Sequence, residues 1–398
     1  MAGPGIPYTE PVSLDHLLEA EARQLQAQGR LRATRTLNGI GCARLVEGRP
    51  ILSFASNDYL GLSHHPRVVE AAHRALDTWG TGATGARLIT GNQGVHQELE
   101  EELARFLGLE GVLLFPSGYQ ANIGLLTALA SKEDLIVSDE LNHASLIDGC
   151  RLSRAEVRVF RHGNADHADE ILADRASAGH RRRFLVTESL FSMDGDHAPL
   201  AALARVAAMR GAHLLVDEAH ALGTSGPAGR GLCASAGVQP AAITATLGKA
   251  LGAQGAFVAG SSALRRHLVN HARPFIFTTA PAPAAVAAAL AALRILASSE
   301  GASLVTRLQH NGAELRQAIT LPSRGALNSP ILPVVLGSEA RALAAAEHLF
   351  TAGLYVPAIR PPTVPPGSCR LRITLSAEHT PDDLERLATA LASQGETP

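Results

Sequence analysis

Val112-Leu-Leu-Phe-Pro-Ser-Gly-Tyr-Gln-Ala-Asn122 runs from four apolar residues through a turn of small ones into the start of a helix. The same rhythm recurs downstream. Leu135-Ile-Val137, Val157-Arg-Val-Phe160, Phe184-Leu-Val186, Leu214-Leu-Val216, Ile243 to Leu247 and Ala256-Phe-Val258 are short apolar runs separated by helical lengths. Near-continuous apolar strands in this pattern belong to a mostly parallel sheet covered on both faces, which sets the fold class as α/β. Polar residues follow several runs directly: Ser117, Asp139, Glu188 and Asp217. Ligands of open α/β sheets bind beyond the carboxyl ends of the strands, so functional groups are expected there.

Upstream, Ser13 to about Arg35 carries Leu14, Leu17, Leu18 and Leu25 at the spacing of one helical face, with Ser13 as N-cap. A β-like segment, Ile51 to Ala55, and a helix over Pro66–Trp79 follow. Downstream, an alanine-rich helix from Pro283 leads to a tail with strand candidates Ile331–Leu336 and Arg370–Leu375. The expected division is an N-terminal helix and arm (1–55), a large α/β domain (56–285) and a smaller α+β C-terminal domain (286–398).

The chain has 398 residues, 46% of them hydrophobic and 18% charged, enough to build a large core and too apolar for a mostly disordered chain. A net charge of −2 gives no overall pull toward nucleic acid or an anionic membrane. Met1 to Tyr8 lacks the basic and apolar regions of a secretory signal. The apolar stretch Ala284–Leu293 is far shorter than the ~20 residues of a membrane span. A soluble, cytoplasmic protein is expected. Cys42, Cys150, Cys233 and Cys369 lie far apart without a C-x-x-C pair, which reads as free thiols with no disulfide framework or metal site.

Only two of the 35 basic residues are lysines, Lys132 and Lys249. Arginine replaces lysine at most solvated positions, but it cannot lose its proton to become an amine nucleophile. Lys132 sits in the loop-like Ser131-Lys-Glu-Asp134 and reads as a surface survivor. Lys249, in Thr246-Leu-Gly-Lys-Ala-Leu-Gly252, follows a buried strand and has no carboxylate in its own segment. It either snorkels to solvent or is held in a site where desolvation lowers its proton affinity.

Three further motifs surround it. Ser117, Gly118 and Tyr119 would offer backbone N–H groups at a helix N-terminus, a ready anion site, although such turns also arise for geometric reasons. Leu214-Leu-Val-Asp-Glu-Ala-His220 puts Asp217 at a strand end with His220 three residues on; a lone carboxylate there more often makes local hydrogen bonds. Gly80-Thr-Gly-Ala-Thr-Gly85 matches G-x-G-x-x-G, but a helix and not a strand precedes it, which excludes the dinucleotide reading. A lysine, a carboxylate and an anion cradle on neighbouring strand ends suit pyridoxal phosphate: the lysine forms a Schiff base and the carboxylate keeps the pyridine nitrogen protonated.

In combination, Ser56-Asn-Asp-Tyr-Leu-Gly-Leu62, Arg87-Leu-Ile-Thr-Gly-Asn92, Phe115 to Asn122, Glu188-Ser-Leu-Phe-Ser-Met-Asp-Gly195, Asp217 to His220 and Thr246 to Lys249 resemble the α-oxoamine synthases. These are fold-type I pyridoxal phosphate-dependent transferases, and the resemblance spans about residues 15 to 390. It implies a large domain with a mostly parallel seven-stranded sheet. Ala358-Ile-Arg-Pro-Pro-Thr-Val-Pro365 resembles the branch that condenses L-alanine with a pimeloyl thioester, on coenzyme A or acyl carrier protein, in biotin biosynthesis. Sister activities, with glycine or serine as the amino acid, are the alternative.

The resemblance also implies roles. Lys249 carries the cofactor and moves the substrate's Cα proton; Asp217 pairs with the ring nitrogen; His143 stacks on the ring. His220 and Ser192 approach the phenolic oxygen. Gly118, Tyr119 and Thr246 hold the phosphate, joined by Thr278 and Thr279 from the other subunit of a homodimer. Arg360, with Asn57 nearby, takes the amino-acid carboxylate, while Thr363 and Arg32 contact substrate; Arg30 and Arg35 compete with Arg32 for that place. The loop Gly80 to Arg87 departs from the family pattern in having Thr and Ala among its small residues, which changes stiffness without implying lost activity.

Overall fold

The computed structural model describes residues 13–319 and 325–393, so the reading of Met1 to Tyr8 lies outside the described residues. Strands β1 (Leu37–Asn38), β2 (Ala43–Val46) and β3 (Arg49–Ser53) form an antiparallel meander. All the apolar runs singled out above are strands: β4 (Gly111–Phe115), β5 (Leu135–Asp139), β6 (Glu156–Phe160), β7 (Arg183–Glu188), β8 (His213–Asp217), β9 (Ala242–Thr246) and β10 (Ala256–Gly260). They build one seven-stranded sheet in the order β4-β10-β9-β8-β7-β5-β6. Only β10 runs antiparallel to its neighbours.

Alternate residues of each strand point to opposite faces. Leu113, Phe115, Ile136, Phe184, Val186 and Leu215 pack on one side with Ala121, Leu125 and Leu126 of helix Gly118–Leu129. Val112, Leu114, Leu135, Val137, Leu185, Leu214 and Val216 pack on the other. The central strands are therefore apolar throughout. β6 is the exception: it lies at the sheet edge with β5 as its only neighbour, and Val159 is 55% exposed.

In the C-terminal part, β11 (Ile331–Gly337), β13 (Ala358–Ile359) and β14 (Cys369–Thr374) form a small antiparallel sheet with β14 central. β12 (Leu354–Tyr355) instead pairs parallel with β3, which joins the two ends of the chain in one sheet. Helix Pro283–Leu296 packs against helices Pro66–Trp79 and Gly94–Leu107 of the large layer, so a division at 285/286 falls inside a continuous element.

The N-terminal helix is shorter than its sequence pattern. It spans Leu14–Ala27, capped by the Ser13 side chain accepting from His16 N at 3.2 Å, and Gly29 at φ 65° turns the chain away. None of its residues is buried, and Leu14 is 68% exposed, so its leucine face is left open among the described residues. All four cysteines are free thiols. No single helix among the described residues is long and apolar enough to cross a membrane.

Candidate active site

Because only β10 is reversed, the carboxyl ends of β4, β9, β8, β7 and β5 share one edge of the sheet. Glu188 lies opposite Asp217 in the β7–β8 register, and Asp217 opposite Thr244 in the β8–β9 register. The residues that follow these ends converge there.

Lys249 occupies the turn between β9 and β10, half-buried, while Lys132 is exposed in a surface turn. The turn closes through Gly252, whose N–H reaches the Lys249 carbonyl at 2.8 Å. Gly252 has φ 59°, and a Cβ on it would meet Ser63 N at 2.3 Å. Only glycine lets this turn press against the Asn57–Ser63 loop.

Lys249 Nζ lies 2.7 Å from His220 Nε2, and His220 Nδ1 lies 2.6 Å from the Tyr59 hydroxyl. Desolvation lowers the Lys249 amine to about 8, against the opposing attraction of Asp217 and Glu188. His220 is pushed well down, by burial first and then by the Lys249 and Arg372 charges, and is therefore neutral. An ammonium only donates, so His220 Nε2 accepts from Lys249 and its Nδ1–H faces Tyr59. The Tyr59 hydroxyl then donates to Asn57 Oδ1 at 3.3 Å. Burial raises that phenol to about 12, which keeps it protonated.

Asp217 is 7% exposed. Its Oδ1 accepts from Ala219 N at 2.8 Å and its Oδ2 from Asn122 Nδ2 at 2.7 Å. Asn122 also donates to Ser145 Oγ at 2.9 Å, and Ser145 Oγ lies 2.8 Å from His143 Nδ1. His143 caps helix Ala144–Ser153 and keeps an exposed ring, its proton affinity lowered by desolvation despite nearby Asp217. Glu188 is buried beside these groups. Burial and the Asp217 charge push its carboxyl up to about 8, and its Oε1 has no partner.

Ser117 caps helix Gly118–Leu129, its side chain accepting from Gln120 N at 3.3 Å. Gly118 and Tyr119 occupy the first helical positions, where N–H groups have no intrahelical acceptor. A Cβ on Gly118 would lie 3.9 Å from Thr246 Cβ, so the Thr246 side chain flanks the same spot. This is an anion cradle on the same sheet edge as Asp217 and Lys249. Tyr119 also meets His143 edge-on, with ring centroids 6.5 Å apart.

The guanidinium that reaches Asn57 belongs to Arg372 of β14. Its two terminal nitrogens lie 3.3 Å from Asn57 Oδ1, its Nε donates to Ser192 O at 2.6 Å, and it is 6% exposed. Arg360 donates to Gly29 O, and no hydrogen bond ties it to Asn57 among the described residues. Among the competing arginines, Arg30 pairs with Glu339 at 2.8 Å and Arg35 lies over Phe350. Arg32 alone turns to the Arg360–Pro361 segment, donating to Pro361 O at 3.0 Å. Thr363 is exposed in the same loop. Thr278 and Thr279 follow the exposed Phe277, and no hydrogen bond ties them to the cluster among the described residues.

The family model "Aminotransferase class I and II" matches residues 49–391. The chain belongs to this family. Within it, a relative from Mycobacterium sp. (strain JLS), named 8-amino-7-oxononanoate synthase, is 47% identical over 378 residues, covering 94% of this chain and 95% of the relative. Among solved structures, a serine palmitoyltransferase variant from S. paucimobilis with a bound PLP–myriocin adduct has a TM-score of 0.90 at 30% identity, covering 95% of this chain and 96% of that one. An 8-amino-7-oxononanoate synthase from Francisella tularensis has a TM-score of 0.75 at 29% identity, covering 87% and 98%.

As a member of this aminotransferase family, the chain adds residues to the site that motif reading passed over. Tyr59 and Asn122 lie inside the quoted motifs, yet their partners are 161 and 95 residues away. Arg372 had a visible signal: Arg370-Leu-Arg-Ile-Thr-Leu375 alternates charge with apolar residues, as a half-exposed strand does. In the structure both arginines are buried, Arg370 against Asp194 at 2.6 Å and Arg372 against the site.

Proposed function

We propose that this chain catalyses the decarboxylative condensation of L-alanine with a pimeloyl thioester, giving 8-amino-7-oxononanoate, carbon dioxide and a free thiol. The observation that carries this reading is the juxtaposition of a desolvated lysine, a buried carboxylate and a helix N-terminus at one sheet edge, in a chain 47% identical to a named 8-amino-7-oxononanoate synthase.

The donor set fits pyridoxal phosphate. Gly118 and Tyr119 N–H with Thr246 would hold its phosphate, Asp217 its ring nitrogen, His143 its face, His220 and Ser192 its phenolic oxygen, and Lys249 its aldehyde. Bound there, pyridoxal phosphate supplies an electron sink for charge left on a substrate carbon. Asp217 is fixed in place by two donors, and its carboxylate would pair with a facing ring nitrogen. Arg372 is the buried cation that takes the alanine carboxylate, with Asn57 orienting its fork. Lys249, whose amine near 8 gives up its proton more readily than an ordinary lysine, accepts the Cα proton in its neutral form, and His220 fixes where its nitrogen points. Arg32 and Thr363, on the outer loop, would contact the acyl substrate.

The exposed leucine helix, with Ile89 79% and Phe277 71% exposed, supports a homodimer whose second copy covers these residues. In that assembly Thr278 and Thr279 would reach the partner's phosphate.

Arg372→Met is expected to raise the KM for alanine roughly 30- to 1,000-fold, the cost of about 2–4 kcal/mol for removing one side of a buried charge pair. The KM for the acyl thioester should stay within about threefold. Steady-state kinetics with each substrate varied in turn checks this.

The close structural match to serine palmitoyltransferase favours, as second reading, a sister reaction with serine or glycine. Incubation of the purified enzyme with alanine, glycine or serine, each with pimeloyl-, acetyl-, succinyl- and palmitoyl-CoA, separates them. Turnover is expected with alanine and the pimeloyl thioester. Turnover confined to glycine or serine would overturn the proposal.

A further inference from the structure

The turn after edge strand β6 brings His162 between two carboxylates. His162 Nδ1 lies 2.9 Å from Asp139 Oδ1, and Nε2 lies 2.8 Å from Asp196 Oδ2. Two carboxylates accept only, so both ring nitrogens must donate, which requires the imidazolium. Burial opposes that charge, but hydrogen bonds to Asp139 and Asp196 outweigh it and raise His162 to about 10. The ring also meets Phe191 edge-on at 4.4 Å between centroids.

Each carboxylate belongs to a different part of the site. Asp139 ends β5, is fully buried, and also accepts from Leu141 N at 2.9 Å and Gly163 N at 3.0 Å, shaping the turn that delivers His143. Asp196 closes the loop that carries Ser192, through Phe191 N to Asp196 O at 3.0 Å. The opposite side of that loop is held from β14. Arg370 donates to Met193 O and Asp194, and Arg372 to Ser192 O. The Ser192 loop is therefore held at Asp196 by His162 and at Ser192 to Asp194 by two arginines of β14, with backbone ties from Ser189 N to Asp217 O at 2.9 Å and from Ala326 N to Gly195 O at 3.0 Å.

We infer that His162 is a positioning residue, whose cationic ring pins the Ser192 loop to the end of β5 and thereby fixes Arg372 for the amino-acid carboxylate. The inference rests on the proposed reading of Arg372 and Ser192. Without the bridge, Asp139 and Asp196 repel each other, and the Asp196 end of the loop loses its side-chain tie to β5. Arg372 then loses a fixed acceptor at Ser192 O.

The test uses the intact holoenzyme and three variants: His162→Gln, which can donate to only one carboxylate at a time, Asp196→Asn, and the double variant. Alanine is titrated against the visible absorption of the bound cofactor with no acyl thioester present. Deuterium uptake is followed in peptides spanning 189–196. Each single variant should weaken alanine binding about tenfold, and the double no more than either single, since both changes break one bridge. Uptake in the loop should rise in all three. Unchanged alanine affinity and loop uptake in the single variants, or additive losses in the double, would overturn the assignment. Asp196 is 35% exposed, so Asp196→Asn tests the bridge even where His162→Gln folds poorly. Parallel titrations of the unaltered enzyme with glycine and serine isolate the other failure. A response to those alone sinks the proposed substrate, while loop exchange still reports on the clamp.

Discussion

Lys249→Ala is expected to cut turnover by about a thousandfold or more, since it removes both a covalent anchor and a positioned proton acceptor, the latter alone worth roughly 10²–10⁴-fold. The fold should survive. Among the described residues Lys249 makes one polar side-chain contact, with His220, in a site shaped by the Gly252 turn and not by the lysine itself. Loss of activity should therefore come with a normal melting temperature and with loss of the absorption band of the protein-linked cofactor. Borohydride reduction followed by peptide mapping gives the complementary check: in the unaltered enzyme the tag should fall on the peptide containing position 249, and in the variant on none. An active, coloured variant would remove the basis for the proposed chemistry. The amine near 8 adds a direction: uptake of pyridoxal phosphate by the cofactor-free protein should quicken as pH rises toward 8 and level off above it, because only the neutral amine attacks an aldehyde.

Asp217→Asn is expected to lower kcat by about 10²–10⁴-fold. The change keeps the side chain's shape but removes the charge proposed to face the cofactor's ring nitrogen, and loss of one side of such a buried pair costs about 3–5 kcal/mol, with each 1.4 kcal/mol a factor of ten. The amide also mismatches its donors. Both carboxylate oxygens accept, from Ala219 N and from Asn122 Nδ2, so an amide nitrogen must face one of them. The double change Asp217→Asn with Asn122→Asp returns one acceptor to that pair while moving the charge away from the strand end. Recovery of stability without recovery of kcat in the double variant would separate the structural cost from the catalytic one. Wild-type kcat in the single variant would show that the Asp217 charge is not needed.

The strands were legible because burial on both faces leaves short runs of β-branched and other apolar residues, spaced by helical lengths and closed by polar residues at their carboxyl ends. The edge strand β6 was also found, but its exposure was not, since its valines look the same in sequence whether or not a neighbour covers them. Lys249 and Asp217 could be picked out because their chemistry is rare at strand ends. Arg372 could not, because alternation in a strand reports two faces, not which face is dry. Its burial depends on Asn57, 315 residues away, and on the loop at Ser192. Tyr59 and Asn122 resisted for the same reason: a phenol or an amide becomes functional only when the fold supplies its partner.

The parallel pairing of β3 with β12, Leu52 opposite Leu354, has a consequence for how the molecule is made. A ribosome delivers β3 early and β12 only after the whole central sheet has emerged, so one backbone edge of β3 stays open throughout that interval. A nascent chain must shield this ribbon until its distant complement arrives, and a prematurely terminated product carries it permanently bare.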